Sequence, residues 1–181
     1  MKFGEITLGD LFGGYEIVNE SADKLPQNLA SAFGTVNAGL LGATYVPIWY
    51  VGHQLVNGTN YLLICREVRV SKTADQMIVA MTINIPAGEG FERGEGAKVV
   101  SIVEGLRLPD ELKTIVEKAE KQLIGVSYTP VAYIGHQLVR GVNHYFICQA
   151  KPIYPGAIPY AVMMCVNLFE NEVTVVSIEK L

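Results

Sequence analysis

The chain repeats itself. Leu25 to Ala43 aligns with Leu108 to Val126, and Tyr45 to Gly58 aligns with Tyr128 to Gly141, at a fixed offset of 83 residues and without a gap. The register persists through Cys65 and Cys148 and still holds at Asn84 and Asn167. It breaks only beyond these, where the first copy carries a longer Gly/Glu-rich loop, Gly88 to Gly96. A repeat of this length constrains the fold before any other feature does, because both copies must adopt one architecture. We therefore expect two units, residues 1–104 and residues 105–181.

Each copy reads as a helix followed by strands. In the second, Leu112, Ile115, Val116, Ala119 and Leu123 fall at helical spacing. Pro109 suits the first turn, Asp110 and Glu111 sit near the positive end of the helix dipole, and Gly125 stops the pattern. Strands are predicted at Tyr128–Gly135 and Asn143–Ala150, joined by a turn through Gln137–Gly141, then at Tyr160–Leu168 and Val173–Ile178. Ahead of the first helix, Gly14–Asn19 can supply an opening strand. A helix followed by an antiparallel meander must bury its apolar stripe on one sheet face, which makes each unit α+β, a helix packed across a curved antiparallel sheet.

Two patterns point to further burial. Ile78–Ile85 and Ala161–Leu168 are apolar on both faces, so both strands are expected to be covered on both sides, through contact between the copies or in a homo-oligomer. The outer face of the second helix carries Lys113, Glu117, Lys118, Glu120 and Lys121, whereas its counterpart carries Ala30, Gly34, Thr35, Asn37 and Ala38. That small, uncharged face is expected to meet protein.

Charge excludes other classes. The formal net charge is −4, the pI is about 5.4, and charged residues make up 18%. Phosphate backbones repel such a chain and no basic stripe offsets this, so no nucleic-acid partner is expected. No apolar run reaches the length of a membrane helix and the start at Met1 has no apolar leader, so no membrane partner and a cytoplasmic location are expected. Three cysteines, Cys65, Cys148 and Cys165, lie in apolar runs and read as buried thiols. The histidines have no close-spaced partners, so no metal or other cofactor is expected. No nucleophile–base–orienter pattern appears, so no catalytic residue is assigned and an enzyme is not expected.

The segment Gln54-Leu55-Val56-Asn57-Gly58-Thr59-Asn60-Tyr61 resembles the first inhibitory hairpin of cystatins, and Gln137-Leu138-Val139-Arg140-Gly141-Val142-Asn143-His144 repeats it with His144 for Tyr. The element order is similar to that family, and Leu11-Phe12-Gly13-Gly14 is similar to its glycine-containing N-terminal trunk. The resemblance implies two cystatin-like units in tandem. It implies, further, reversible inhibition of papain-like cysteine proteases by a wedge of trunk and hairpins. Carried over, the candidates are Gly13, Gly14, Gln54, Leu55, Val56, Asn57 and Gly58, with Phe91 in the second loop as an apolar anchor. The second-copy hairpin is Gln137, Leu138, Val139, Arg140 and Gly141. The Pro-Trp pair of the second inhibitory hairpin is absent, and the second copy has no free trunk. The function expected first is therefore a duplicated protein-binding or assembly module, its partner a protein or a second copy of itself, with protease inhibition as the alternative. Gln-x-Val-x-Gly also reads as no more than a good hairpin turn.

Overall fold

A computed structural model describes residues 14–181. It has two compact units, Gly14–Glu104 and Gly105–Leu181, each considered by itself. The first unit contains β1 (Glu16–Ser21), α1 (Gln27–Gly39), β2 (Ala43–Val56), β3 (Gly58–Arg69), β4 (Gln76–Ile85) and β5 (Lys98–Val103). The second contains α2 (Asp110–Glu120), β6 (Val126–Val139), β7 (Gly141–Pro152), β8 (Tyr160–Phe169) and β9 (Glu172–Lys180). The sheets are antiparallel meanders of five and four strands in chain order, each with one helix packed against it.

Helix α1 begins where Pro26 leaves extended backbone, and the Pro26 carbonyl accepts the first helical hydrogen bond, from Ala30 N. Pro109 does the same for Lys113 N. Each proline thus occupies the cap position rather than the first turn, where its missing N–H costs nothing. α1 turns Leu29, Ala32 and Phe33 onto Tyr50, Tyr61, Leu63, Cys65, Val79, Met81 and Ile83. α2 turns Ile115, Val116 and Ala119 onto Tyr133, Phe146, Cys148, Val162 and Met164.

The end of each helix is tied to the start of the long strand that follows it. Asn37 donates from Nδ2 to the Tyr45 carbonyl and accepts from Tyr45 N, both at 3.1 Å. At the matched position Glu120 Oε1 accepts from Tyr128 N, at 3.1 Å. The long strands are bent. The β2–β3 ladder shifts register between Pro47 and Trp49 and between Tyr50 and Gly52, and the β6–β7 ladder between Pro130 and Ala132 and between Tyr133 and Gly135. These bulges lie at corresponding positions. The first shift in each ladder lies at a proline, Pro47 or Pro130, which a regular inner strand would reject, and the bulges bend the strands that carry them.

The doubly apolar strands are withdrawn from solvent on both faces. Every residue from Ile78 to Ile85 is buried, and so are Ala161 to Val166. The expectation for the outer face of α1 is corrected: Ala30, Ser31, Gly34, Thr35 and Ala38 are exposed, and no atom lies within 4 Å of the position a Gly34 side chain would take. Asn28, Leu29, Ala32 and Phe33 face inward and anchor α1, and its small outward residues are solvated. The strands also run further than the pattern predicts: Gln137, Leu138 and Val139 belong to β6 and Gly141 to β7, so the pentapeptide straddles the turn. Among the described residues no helix is long and apolar enough to cross a membrane.

All three cysteines are buried free thiols, and burial pushes Cys65 up to about 12 and raises Cys148 and Cys165 too. A thiolate-specific reagent at mildly alkaline pH is expected to label none of them in the native protein and all three in denaturant; rapid native labelling would contradict this packing. Leu29→Ala, at a site with no exposure, should cost about 2–5 kcal/mol in denaturant unfolding.

Candidate functional site

Each long hairpin ends in an exposed aliphatic tip. In the first unit β2 and β3 pair to the end, Leu55 with Thr59 and Val56 with Gly58. Leu55 is 80% exposed and its counterpart Leu138 is 79% exposed; Val56 and Val139 are half exposed beside them. Gly58 and Gly141 hold the turns. Their φ values are +97° and +88°, and a Cβ on either would run into backbone, the Ile85 carbonyl oxygen in one unit and the Leu168 carbonyl oxygen in the other. These two positions therefore demand glycine for conformation and for space alike.

Below each tip a pair of asparagines joins the second and third strands of the hairpin stack. Asn84 Nδ2 donates to Asn60 Oδ1 at 2.9 Å, and Asn167 Nδ2 donates to Asn143 Oδ1 at 2.8 Å. Asn167 Nδ2 also reaches the Arg140 carbonyl, at 3.3 Å, which fastens the second turn to β8. The Arg140 guanidinium stacks over the Phe169 ring, 5.0 Å from its centroid. These ties stiffen the tips, so little freedom remains to be lost on docking.

The histidines next to the tips are partnered by tyrosines, with a switch between the copies. In the first unit Tyr50 OH and His53 Nδ1 share a hydrogen bond of 3.0 Å, and His53 Nε2 lies 3.5 Å from Glu16 Oε2. In the second unit Tyr133 OH turns instead to Nδ1 of His144, at 3.1 Å, the residue that replaces Tyr61. Burial raises both tyrosine hydroxyls, Tyr133 to about 12, and they serve as hydrogen-bond partners rather than bases. Burial, and secondly the facing His136 ring with its centroid 6.2 Å away, lower His144 to about 4. His144 is thus neutral at pH 7. Sequence comparison of the two copies exposes His144 as the odd residue but not its tyrosine partner, because Tyr133 aligns with a tyrosine whose hydroxyl goes elsewhere.

The structure brings some of the candidate residues together and leaves others apart. A side-chain carbon on Gly14 would lie 3.6 Å from Gln54 Nε2, so the chain at Gly14 passes against the first hairpin. Gly13, with the rest of the trunk, lies outside the described residues. The loop after β4 starts beside Gly58, at Pro86 and Ala87. Its 3-10 turn, Phe91–Arg93, then folds back onto α1, and Phe91 packs against the first core. Phe91 is therefore a packing residue of the loop, not an anchor at the hairpin tip. In the second unit a two-residue turn, Glu170 and Asn171, replaces that loop, with both residues at positive φ. Among the described residues no group of three or more metal-ligating side chains converges. No family model matches the chain, and no curated protein matches it.

Two expectations follow. Gly58→Ala and Gly141→Ala should each destabilise the fold by about 1–3 kcal/mol, whereas Leu55→Ser and Leu138→Ser should stay within about 0.5 kcal/mol of wild type. Denaturant titration measures both, and it makes the leucines, not the glycines, the clean probes of binding. The second concerns acid. An unfolded chain protonates His144 near 6.5 while the folded one resists to about 4, so folding stability falls as pH drops through that window. Replacing His144 by tyrosine, the residue at the matched position, should flatten this dependence in urea unfolding compared between about pH 7 and about pH 4.5; an unchanged slope would show that other groups carry it.

Proposed function

We propose that the chain is a duplicated cystatin-like protein-binding module that engages its partner through the paired tips Gln54–Gly58 and Gln137–Gly141. The observation that carries this reading is the matched exposure of Leu55 and Leu138. Neither leucine contributes to a core, so packing does not account for a large aliphatic side chain at both positions. Turn geometry accounts for the glycines but requires no leucine two residues earlier. An exposed aliphatic side chain on a stiff hairpin loses little freedom on entering a shallow hydrophobic pocket of a partner, and each tip offers one by itself.

Inhibition of papain-like proteases is the narrower reading, and the passage of Gly14 against Gln54 favours it for the first unit, since a wedge needs trunk and hairpin side by side. The test is a titration of wild type, Leu55→Asp and Leu138→Asp against a panel of papain-like proteases, with folding checked by circular dichroism. Competitive inhibition lost in Leu55→Asp and kept in Leu138→Asp supports the wedge. No inhibition at micromolar concentration leaves the binding module. That module then predicts a partner, isolated by cross-linking to wild type, which both aspartate variants fail to retain. A partner retained equally by the two variants would sink the hairpin-tip assignment.

A further inference from the structure

The duplication supplies an internal control for a surface far from the hairpin tips. At the opposite end of the second sheet, the connection from β7 to β8 runs Ile153-Tyr154-Pro155-Gly156-Ala157-Ile158-Pro159, without a single charge. The matched connection in the first unit runs Val70-Ser71-Lys72-Thr73-Ala74-Asp75-Gln76. Both leave their hairpin in the same way: Val70 N donates to the Gly42 carbonyl, and Ile153 N donates to the Gly125 carbonyl. The fold therefore accepts Ser71 and Asp75 where the second unit has Tyr154 and Ile158, so those two apolar side chains are not a structural requirement, whereas Ile153 has an equally aliphatic and exposed counterpart in Val70.

Most of the second loop is exposed, with Ala157 and Pro159 buried beneath it. Tyr154 is 62% exposed and Ile158 55%, and they add to Ile153 and Ile124, whose first-copy counterparts Val70 and Leu41 are exposed to a similar extent. Its flank differs from the first unit as well. Lys121 and Lys151 stand where the first copy has Ala38 and Val68, and both lysines are exposed. Lys180 ends β9 at the same edge, with its ammonium over the Tyr160 ring at 5.2 Å. Of the nearby acids, Glu120 is bonded to the Tyr128 amide and Glu179 directly precedes Lys180.

We propose that this end of the second unit docks onto an anionic lipid surface, the exposed side chains of Tyr154 and Ile158, with Ile153 and Ile124, entering the headgroup boundary while Lys121, Lys151 and Lys180 face the lipid charge. The loop is seven residues long, well short of the roughly 20–30 residues that a stable protein interface uses on each partner. Aliphatic and tyrosine side chains ringed by lysines fit the two-part binding, apolar insertion plus charge attraction, that holds proteins at such a surface. The absence of a spanning segment bears on crossing a bilayer, not on resting against one. This docking is separate from the hairpin-tip reading and does not depend on it.

Vesicle co-sedimentation tests it. Wild type should pellet with phosphatidylcholine vesicles containing phosphatidylserine and, by comparison, about tenfold less with phosphatidylcholine alone or at high salt. Tyr154→Ser with Ile158→Asp, which installs first-copy residues, should abolish pelleting. Lys121→Ala with Lys151→Val should lower it several-fold and weaken its salt dependence. Circular dichroism checks folding, and if the loop variant does not fold the lysine variant still decides. No pelleting of wild type, or pelleting unchanged in a folded variant, overturns the proposal. So does equal binding to neutral and anionic vesicles. A dimer seen by light scattering and lost in the loop variant would make the loop a contact between copies and would likewise overturn it.

Discussion

Each unit depends on the bend in its long first hairpin strand. A flat sheet offers a helix only a narrow line of contact. The register shifts at Pro47–Trp49 and Tyr50–Gly52, repeated at Pro130–Ala132 and Tyr133–Gly135, curl β2 and β6 so that the sheet closes on α1 or α2. The buried apolar side chains of α1, Leu29, Ala32 and Phe33, and those of α2, Ile115, Val116 and Ala119, then find apolar neighbours from several strands. Beyond the bend the same strand runs on as a regular hairpin, which is why the tip projects from the core that supports it. The polar ties from Asn37 to Tyr45 and from Glu120 to Tyr128 set where the helix lies before the bend begins.

Comparison of the copies separates what the fold needs from what it merely carries. The turn glycines, the asparagine pair under each tip and the two bulges occur in both, and each has a geometric reason. Other positions differ without altering the architecture. Asn37 becomes Glu120, Tyr61 becomes His144, and the loop that presses Phe91 on α1 becomes a two-residue turn. The exposed leucines form a third group, present in both copies yet idle in the core. That group is where function is most economically sought.

Much of this was legible in the sequence. The offset of 83 residues revealed the duplication, helical spacing placed α2, and the runs apolar on both faces at Ile78–Ile85 and Ala161–Leu168 announced buried strands, of which Ile78–Ile85 and Ala161–Val166 are buried throughout. Strand ends were misplaced because glutamine, histidine and asparagine near the tips read as turn residues, whereas in the structure they continue the ladder to Val56 and Val139. The bulges were invisible, since an inserted residue breaks the alternation by which a strand is recognised. The helix face at Ala30–Ala38 misled because small residues permit close approach without requiring it. Phe91 looked like a free anchor because a glycine-rich loop hides the local turn that returns it to the core. For the candidate site, the pentapeptides could be located, but the exposure of their leucines and the tyrosine partners of the histidines, Tyr50 for His53 along one strand and Tyr133 for His144 across the hairpin, come only from the three-dimensional structure.

The strand order of each sheet follows the chain without a crossover, and this bears on how the molecule reaches its structure. Neighbouring strands are joined mostly by brief turns, so little chain entropy is lost before each pairing begins to form hydrogen bonds. The ordering of a meander is therefore a succession of local closures, each hairpin offering an edge to the next strand. Sheets whose strands must find distant partners search far longer. The meeting of the bent strand with its helix is the one step in each unit that joins the two kinds of structure.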